Sequence, residues 1–207
     1  IDHYKKLILN KIMINENDEI ETQLEYNNRT FLDKNINNIL IITRGHPFER
    51  DPFFEMIDST GYAWSHVEHP AAQEIFKTGF IENYKAIIFY DMPGINFETA
   101  PPKPTFFNPD KDYKKGLIDH LKRGIGCVFL HHAIAGWSNW EEYSNIIGGK
   151  FLYQPGKLRG IQKPDSGYRH DVKYRVLIEG NHPITDGIAD FEITDELLSL
   201  IHISEPT

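Results

Sequence analysis

The sequence predicts an α/β protein in which a doubly wound parallel sheet carries helices on both faces. Two observations support this fold class. From Ile36 onward, short unbroken runs of Val, Ile, Leu and Phe alternate with stretches of helical periodicity, and glycines close those stretches. Apolar runs without alternation are typical of strands that are buried on both faces, as in a parallel sheet.

The first strand and helix follow a polar stretch. Residues 1–35 are rich in Asn and Glu and show no sustained period, which predicts a linker or a partial upstream element. A buried strand is predicted at Ile39–Thr43, in the segment NILIITRG. A short helix is predicted in DPFFEMIDSTG, with Asp51 at the N-cap, Pro52 at the first helical position and Gly61 as the stop.

Two more strands and helices follow in the same order. The second strand is predicted in YAWSHVEH, and the next helix in AAQEIFKTG, where Gly79 closes it. The third strand, Ala86–Tyr90, is predicted from the strongly apolar YKAIIFYDMPG. After a Pro-rich loop, a helix is predicted in YKKGLIDHLKRG and ends at Gly124. Its expected apolar face consists of Tyr113, Leu117, Ile118 and Leu121.

The fourth strand leads into two adjacent histidines. It is predicted at Ile125–Leu130, in IGCVFLHH, and ends at His131 and His132. Another helix is predicted beyond a few small residues, because Ser138 and Glu141 have the spacing of a capping box. The histidine pair therefore stands between a strand and a helix.

Polar residues are expected to share one rim of the sheet, because ligands of open parallel α/β sheets bind beyond the carboxyl ends of the strands. Those ends carry Arg44 and His46 after the first strand, Asp91 after the third, and His131 and His132 after the fourth. We therefore expect at least one histidine of the pair to lie within reach of His46 and Asp91, in one polar crevice.

Each of these residues also has a structural interpretation. One histidine of the pair can point into the core and bond to the backbone. Asp91 can cap the following loop, and His46 can be an ordinary loop residue. Arg44 can pair with a surface carboxylate. The sequence leaves these alternatives open.

Two tryptophans and the single cysteine lie near the histidine pair in sequence. Trp137 and Trp140 are interpreted either as packing residues of the helix or as aromatic faces that line the crevice and stack on a sugar ring. Cys127 lies inside the fourth strand, so we expect an inert core thiol. One cysteine forms neither an internal disulfide nor a two-cysteine metal site.

Composition limits the partners of the chain. With 207 residues, 40% of them hydrophobic and 25% charged, the chain is long enough for one domain with a substantial core. The formal charge of -8, without a cluster of Lys and Arg, argues against binding to nucleic acid or to an anionic membrane. A small, uncharged or weakly polar molecule is the expected partner, and association into a homo-oligomer stays open.

A cytoplasmic location is the expectation from composition. No run approaches the roughly 18 apolar residues of a membrane span, and a single cysteine is compatible with a reducing compartment. The chain begins at Ile1, so an upstream signal is also compatible with the sequence.

Six segments, in order across about residues 36–198, resemble the signature blocks of the ThuA-like (trehalose utilisation) family. They are IITRGHPFER, IIFYDMPG, GCVFLHHAIAGWSNWEEYSNIIGGKF, YRHDVKYRV, HPITDGIADF and DEL. The resemblance implies a flavodoxin-like, three-layer α/β/α sandwich similar to that of the class I glutamine amidotransferases. Those enzymes carry a nucleophilic cysteine after the central strand, where this chain has His131, His132 and Ala133, so cysteine amidotransferase activity is not expected. Residues 199–207 depart from the family pattern and are interpreted as a non-native tail after a domain that is truncated at its C-terminal end.

The same resemblance implies a role in the catabolism of trehalose or a related disaccharide, including 3-keto sugars. The expected catalytic residues are His131, His132, Asp91 and His46. The expected substrate-binding residues are Arg44, Trp137, Trp140, His170, His182, Asp195 and Glu196. Histidines with a carboxylate suit zinc or a similar divalent ion, although HxH and HExxH spacings are absent.

Two classes of function remain open. The first is an enzyme of carbohydrate catabolism that uses histidine and carboxylate groups for acid–base chemistry. The second is a non-catalytic sugar-binding or regulatory domain built on the same fold.

Overall fold

The computed structural model describes residues 38–96, 104–158, 160–199 and 201–202, which fall into two units. The first unit contains the described residues up to Tyr90 and the segment Asp110–Val128. The second contains Asp91–Pro109 and the chain from Phe129 onward. The predicted linker, residues 1–35, lies outside the described residues.

In chain order, the strands and helices of the described residues are β1 (Asn38–Arg44), α1 (Arg50–Asp58), β2 (Ala63–Glu68), α2 (Ala71–Lys77), β3 (Ala86–Asp91), β4 (Ile95–Asn96), β5 (Thr105–Phe106), α3 (Lys111–Lys122), β6 (Gly126–Phe129), α4 (Glu141–Ile147), β7 (Gly149–Lys150), β8 (Gly156–Leu158), β9 (Ile161–Lys163), β10 (Gly167–Val176), β11 (Phe191–Ser199) and β12 (Ile201–His202). Short 3-10 helices cover Phe80–Asn83 and His131–Ala135.

A four-stranded parallel sheet with strand order β2-β1-β3-β6 confirms the predicted fold class. This order, with helices between successive strands, is that of a flavodoxin-like sheet. The apolar run of β1 explains its place inside the sheet, because Leu40, Ile41 and Ile42 have no exposed surface. β1 extends one residue beyond the predicted strand Ile39–Thr43 at each end, and β3 extends one residue beyond Ala86–Tyr90 at its C-terminal end.

The fourth strand differs from its predicted role. The sequence predicts a central, buried strand at Ile125–Leu130, but β6 is a terminal strand among the described strands of this sheet. Val128 is 49% exposed, and Phe129 is only half-buried. An apolar run predicts a buried strand, but it does not show whether the strand pairs with other strands on one edge or on both.

Helix α3 packs closely against α2 in the first unit. Tyr113 and Leu117, both on the predicted apolar face, are fully buried, and so is His120, which the sequence pattern did not include. At Gly116 an added Cβ would lie 2.8 Å from the Phe76 carbonyl oxygen, so only glycine allows this approach.

Two predicted helix caps are wrong. Helix α1 begins at Arg50 after Glu49, so Asp51 lies in its first turn, where its charge still favours the helix N-terminus. Helix α4 follows Trp140 without a side-chain cap, and the Ser138 hydroxyl instead donates to the Ala135 carbonyl at 3.4 Å. Cap signals locate a helix end only to within a residue or two, because nearby polar residues have other backbone groups to bond.

The second unit is built from antiparallel pairs of strands, of which β10–β11 is the longest. The polar sequence of this hairpin matches its exposure, because most residues of both strands face solvent. A small core of Met92, Ala135 and Phe151 packs against Leu198 of β11. Among the described residues, no helix combines the length and apolar character that a bilayer crossing requires.

Candidate active site

The histidine pair opens the 3-10 helix His131–Ala135, directly after β6. The chain turns there because the Ala133 N–H donates to the Leu130 carbonyl at 2.9 Å, and the Gly136 N–H donates to the Ala133 carbonyl at 3.2 Å. His131 has φ 29, a left-handed conformation that costs a non-glycine residue about 1–3 kcal/mol. Such strain persists only where the surrounding structure imposes it, and it concentrates at functional sites.

A rigid wall supports this turn. The buried Tyr143 hydroxyl donates to the Ala133 carbonyl at 3.0 Å, and the Trp137 N–H donates to the Pro93 carbonyl at 2.8 Å. Gly94 has φ 82, and an added Cβ would lie 2.7 Å from Cε3 of the Trp137 indole. These contacts to Ala133 and Trp137 therefore position the turn that carries His131 and His132.

Burial disfavours the charged forms of two side chains in this wall. The Lys150 ammonium donates to the Ser138 carbonyl at 2.7 Å, and burial lowers the pKa of Lys150. The Tyr153 hydroxyl donates to the Ala135 carbonyl at 3.4 Å, and burial raises the pKa of Tyr153. Both pKa directions are those expected when water is excluded from the charged form.

The β10–β11 hairpin contains a β-bulge. Arg169 pairs with Leu197 and Val172 pairs with Asp195, so His170 and Asp171 together stand opposite the single residue Glu196. Asp171 takes the left-handed conformation, with φ 54, which Asp tolerates better than most residues. Bulges re-aim side chains and are frequent next to active sites.

The bulge and the turn meet at Glu196. His131 Nε2 lies 2.8 Å from Glu196 Oε2, and His170 Nδ1 lies 3.5 Å from Glu196 Oε1. The Glu196 side chain is 18% exposed, that of His131 31%, and that of His170 68%. Glu196 is therefore the most enclosed of the three side chains, and His170 is the most accessible to solvent. The rings of His131 and His132 meet edge to face, with centroids 4.5 Å apart.

His131, His132 and Glu196 form what we call the histidine–glutamate cluster. Each offers one ligand atom, and these atoms all lie within 4.8 Å of one another. Two imidazoles and a carboxylate at this spacing could hold a metal ion.

Neighbouring residues of β11 hold Glu196 in place. The Asp195 carboxylate is exposed and accepts the Glu196 N–H at 2.7 Å, so its role here is toward the backbone. Two residues beyond Glu196, Leu198 packs on the small core that includes Ala135 of the histidine turn. Glu196 is therefore anchored from both sides along its strand.

The first-strand candidates belong to the first unit. Arg44 donates to the His69 carbonyl at 2.8 Å, a backbone partner in place of the surface carboxylate that the structural alternative required. His46 is exposed, and its Nδ1 donates to the Pro47 carbonyl at 2.7 Å. The expected convergence of His46 on the histidine pair stays a prediction.

The remaining candidates are not members of the three-residue ligand group. Asp91 is 1% exposed at the end of β3 and is not among the described side chains that group as ligands. Trp137 and Trp140 are buried, which favours packing over direct stacking on a sugar. His182 is exposed in a turn, where its Nδ1 accepts the Ile184 N–H at 3.2 Å.

Cys127 has the character expected of an inert thiol. It is half-buried within β6, and burial raises its pKa to about 12. Because the thiolate is the nucleophile, we expect this thiol to be unreactive near neutral pH.

Sequence reasoning missed the bulge and one aromatic side chain beside it. Tyr168 is 59% exposed, and its ring centroid lies 5.2 Å from that of His170. The alternation of YRHD in a polar strand places Tyr168 and His170 on the same face. That alternation was the available signal, but it requires the strand to be recognised first.

Comparison with protein-family models matches residues 38–207 to ThuA, described as trehalose utilisation. Searches of curated proteins and of solved structures found no match to the chain. The matched range includes the histidine turn, the bulge and Glu196. The chain therefore belongs to the ThuA trehalose-utilisation family.

Proposed function

We propose that this protein is an enzyme of carbohydrate catabolism that acts on trehalose, a related disaccharide or a 3-keto derivative, with its reactive centre at the histidine–glutamate cluster. The observation that carries the proposal is the 2.8 Å contact between His131 Nε2 and Glu196 Oε2, made from a strained turn. Membership of a trehalose-utilisation family supports the carbohydrate class of the substrate.

The chemistry proposed for the cluster is proton transfer. An imidazole titrates near pH 6.5, so it both accepts and donates protons close to neutral pH. A carboxylate that bonds to one ring nitrogen selects the tautomer and stabilises the imidazolium, as in other acid–base pairs. In this proposal Glu196 holds His131, and His131 exchanges a proton with a sugar hydroxyl or with the carbon beside a keto group.

Substrate contacts are proposed on the open side of the cluster. His170 is the most exposed of the groups around Glu196, and Tyr168 presents an exposed ring beside it. An aromatic face packs against the C–H face of a sugar, while an imidazole bonds to its hydroxyls. The same donor set would suit a zinc-like divalent ion, which polarises a sugar oxygen.

The test is direct incubation of the chain with trehalose and with its 3-keto derivative, followed by product detection by NMR. We expect turnover, and His131→Asn should reduce it at least about 100-fold, the scale of a lost acid–base group. Asn retains the left-handed backbone at this position but lacks the imidazole.

Glu192→Gln provides the matched control on the same strand. Its carboxylate pairs with Lys173 at the surface, so turnover should stay at the wild-type level. Both variants should keep the wild-type thermal midpoint. A sugar that binds and is recovered unchanged would instead support the non-catalytic domain, and wild-type turnover by His131→Asn would remove His131 from the chemistry.

A further inference from the structure

We propose that His131, His132 and Glu196 bind one divalent transition-metal ion of the zinc class, and that His170 is a fourth, exchangeable ligand that the β-bulge carries to the site. This inference deepens the proposed function and rests on it for the identity of the site, although metal binding can be measured without any substrate.

The donor atoms select the class of metal. Two imidazole nitrogens and one carboxylate oxygen suit zinc, iron, cobalt and nickel, whereas magnesium and calcium prefer oxygen ligands alone. Three protein ligands also leave a fourth coordination position, which His170 would fill until water or substrate displaces it; catalytic zinc sites likewise keep one exchangeable position.

The spacing of these atoms fits a metal after small side-chain rotations. With bonds of about 2.0–2.1 Å, the ligand atoms of a tetrahedral site stand about 3.3 Å apart. The three ligand atoms of the cluster lie within 4.8 Å of one another, and His131 Nε2 lies 2.8 Å from Glu196 Oε2. A metal would open that pair slightly and draw His132 inward.

The charge of Glu196 gives independent support. Along the same hairpin, Glu192 pairs with Lys173 and Asp190 pairs with Arg175. Among the described residues, the ion-pair partners of Glu196 are histidines alone. The Glu196 side chain is less exposed than those of Glu192 and Asp190. It faces imidazoles, which are metal ligands when neutral.

The bulge explains why His170 takes part. A regular ladder would place one residue opposite Glu196, whereas in this hairpin both His170 and Asp171 stand there. This extra residue allows His170 Nδ1 to approach Glu196 Oε1 to 3.5 Å while the ring stays largely exposed. An exposed ligand is the one that a substrate most readily displaces.

The metal would take the place of the proton between His131 and Glu196. A metal and a proton would compete for the lone pair of His131 Nε2, so the ring would bind the metal in its neutral form, with its proton on Nδ1. With a metal bound, His131 would serve as a ligand, and His170, once displaced, would be the imidazole available to exchange a proton with substrate.

The experiment measures Zn²⁺ and Co²⁺ binding by the full chain, which is first freed of metal with a chelator. We expect one Zn²⁺ per chain, a visible absorption band with Co²⁺, and a raised thermal midpoint with Zn²⁺. His132→Ala and Glu196→Gln should each reduce Zn²⁺ affinity at least about 100-fold, and His170→Ala should reduce it about tenfold.

Glu192→Gln is the matched control and should bind Zn²⁺ like the wild type. Circular dichroism checks that each variant is folded, and the midpoint shift of the wild type tests the site without any variant. Absence of that shift and of a Co²⁺ band overturns the proposal. Zn²⁺ uptake that survives both His132→Ala and Glu196→Gln is adventitious and overturns it as well.

Two further outcomes separate this inference from the proposed function. If zinc binds at the cluster but no sugar is turned over, the metal site is supported and the proposed enzymatic function is contradicted. If chelator-treated protein turns over a sugar and takes up no zinc, the proposed enzymatic function is supported and the metal site is contradicted.

Discussion

The parallel sheet and the β10–β11 hairpin use their strands in opposite ways. In β1 the side chains of Leu40, Ile41 and Ile42 have no exposed surface, whereas most residues of β11 are exposed. The sheet is specified by burial of apolar side chains. The hairpin is specified by backbone pairing, and its bulge determines which polar side chains reach Glu196.

This difference separates the source of stability from the proposed source of chemistry. Apolar area removed from water contributes about 25 cal/mol per Å², so buried strands like β1 contribute strongly to the stability of the first unit. Polar strands contribute less of this kind but leave carboxylates and imidazoles accessible. Substitutions in the two regions should therefore affect different measurements.

The largest effect on stability is expected for Ile41→Ala. The side chain is fully buried in β1, so its loss should lower the free energy of unfolding by about 3 kcal/mol through lost burial and a cavity. Leu197→Ala in β11, where the side chain is 44% exposed, should cost less than about 1 kcal/mol. Urea denaturation of both variants measures the contrast. Equal losses of unfolding free energy in the two variants would contradict the expected difference between the sheet and the hairpin.

A smaller effect is expected at Asp171 of the bulge. Asp171→Val introduces a β-branched residue at φ 54, which should shift the bulge and weaken the proposed turnover and zinc binding about tenfold. Asp171→Gly keeps that conformation accessible and serves as the control, with values near wild type. If valine and glycine behave alike, the bulge does not position His170.

The pH dependence of the first unit should depend on His120. Burial, followed by the positive charge of Arg123, lowers the pKa of His120, and neither ring nitrogen has a hydrogen-bond partner among the described residues. Because the folded state favours the neutral ring, stability is fully present above the unfolded pKa of about 6.5 and is lost as pH falls toward the folded pKa. Urea midpoints at pH 7.5 and 5.5 should show this fall.

His120→Leu should flatten part of that dependence, because leucine has no proton to bind. The difference between wild type and variant isolates His120 from other titrating groups. A variant with the same slope as wild type would assign the pH dependence to other residues.

The smallest effect is expected for Cys127→Ala. The thiol is four residues from His131 in sequence, but burial raises its pKa to about 12, so it supplies no nucleophile near neutral pH. Turnover should change less than about twofold. A loss of about 100-fold in a folded variant would imply a chemical role for the thiol.

The sheet was predictable because its signals are local. Apolar runs located β1 and β3 to within one residue, and Gly79 and Gly124 have the positive φ of helix-closing residues. The position of β6 at the end of the sheet was not predictable in this way, since strand order depends on partners that lie elsewhere in the chain.

The cluster was only half predictable. The histidine pair was visible because it follows an apolar strand, and Glu196 was a candidate through family resemblance alone. Their contact joins residues 65 positions apart in sequence, and it depends on a bulge that has no strong local pattern. The burial of Trp137 was equally hidden, because an aromatic side chain beside a loop fits either a core or a sugar site.

The close approach of Gly94 to Trp137 has a consequence for how this protein can evolve. An added Cβ at Gly94 would lie 2.7 Å from the indole, and one at Gly136 would lie 2.9 Å from Pro93 Cδ. A larger residue at either glycine therefore needs a compensating change in its neighbour. Single substitutions in the wall behind the histidines are therefore restricted by close contacts, whereas the exposed hairpin around Tyr168 leaves room for larger side chains.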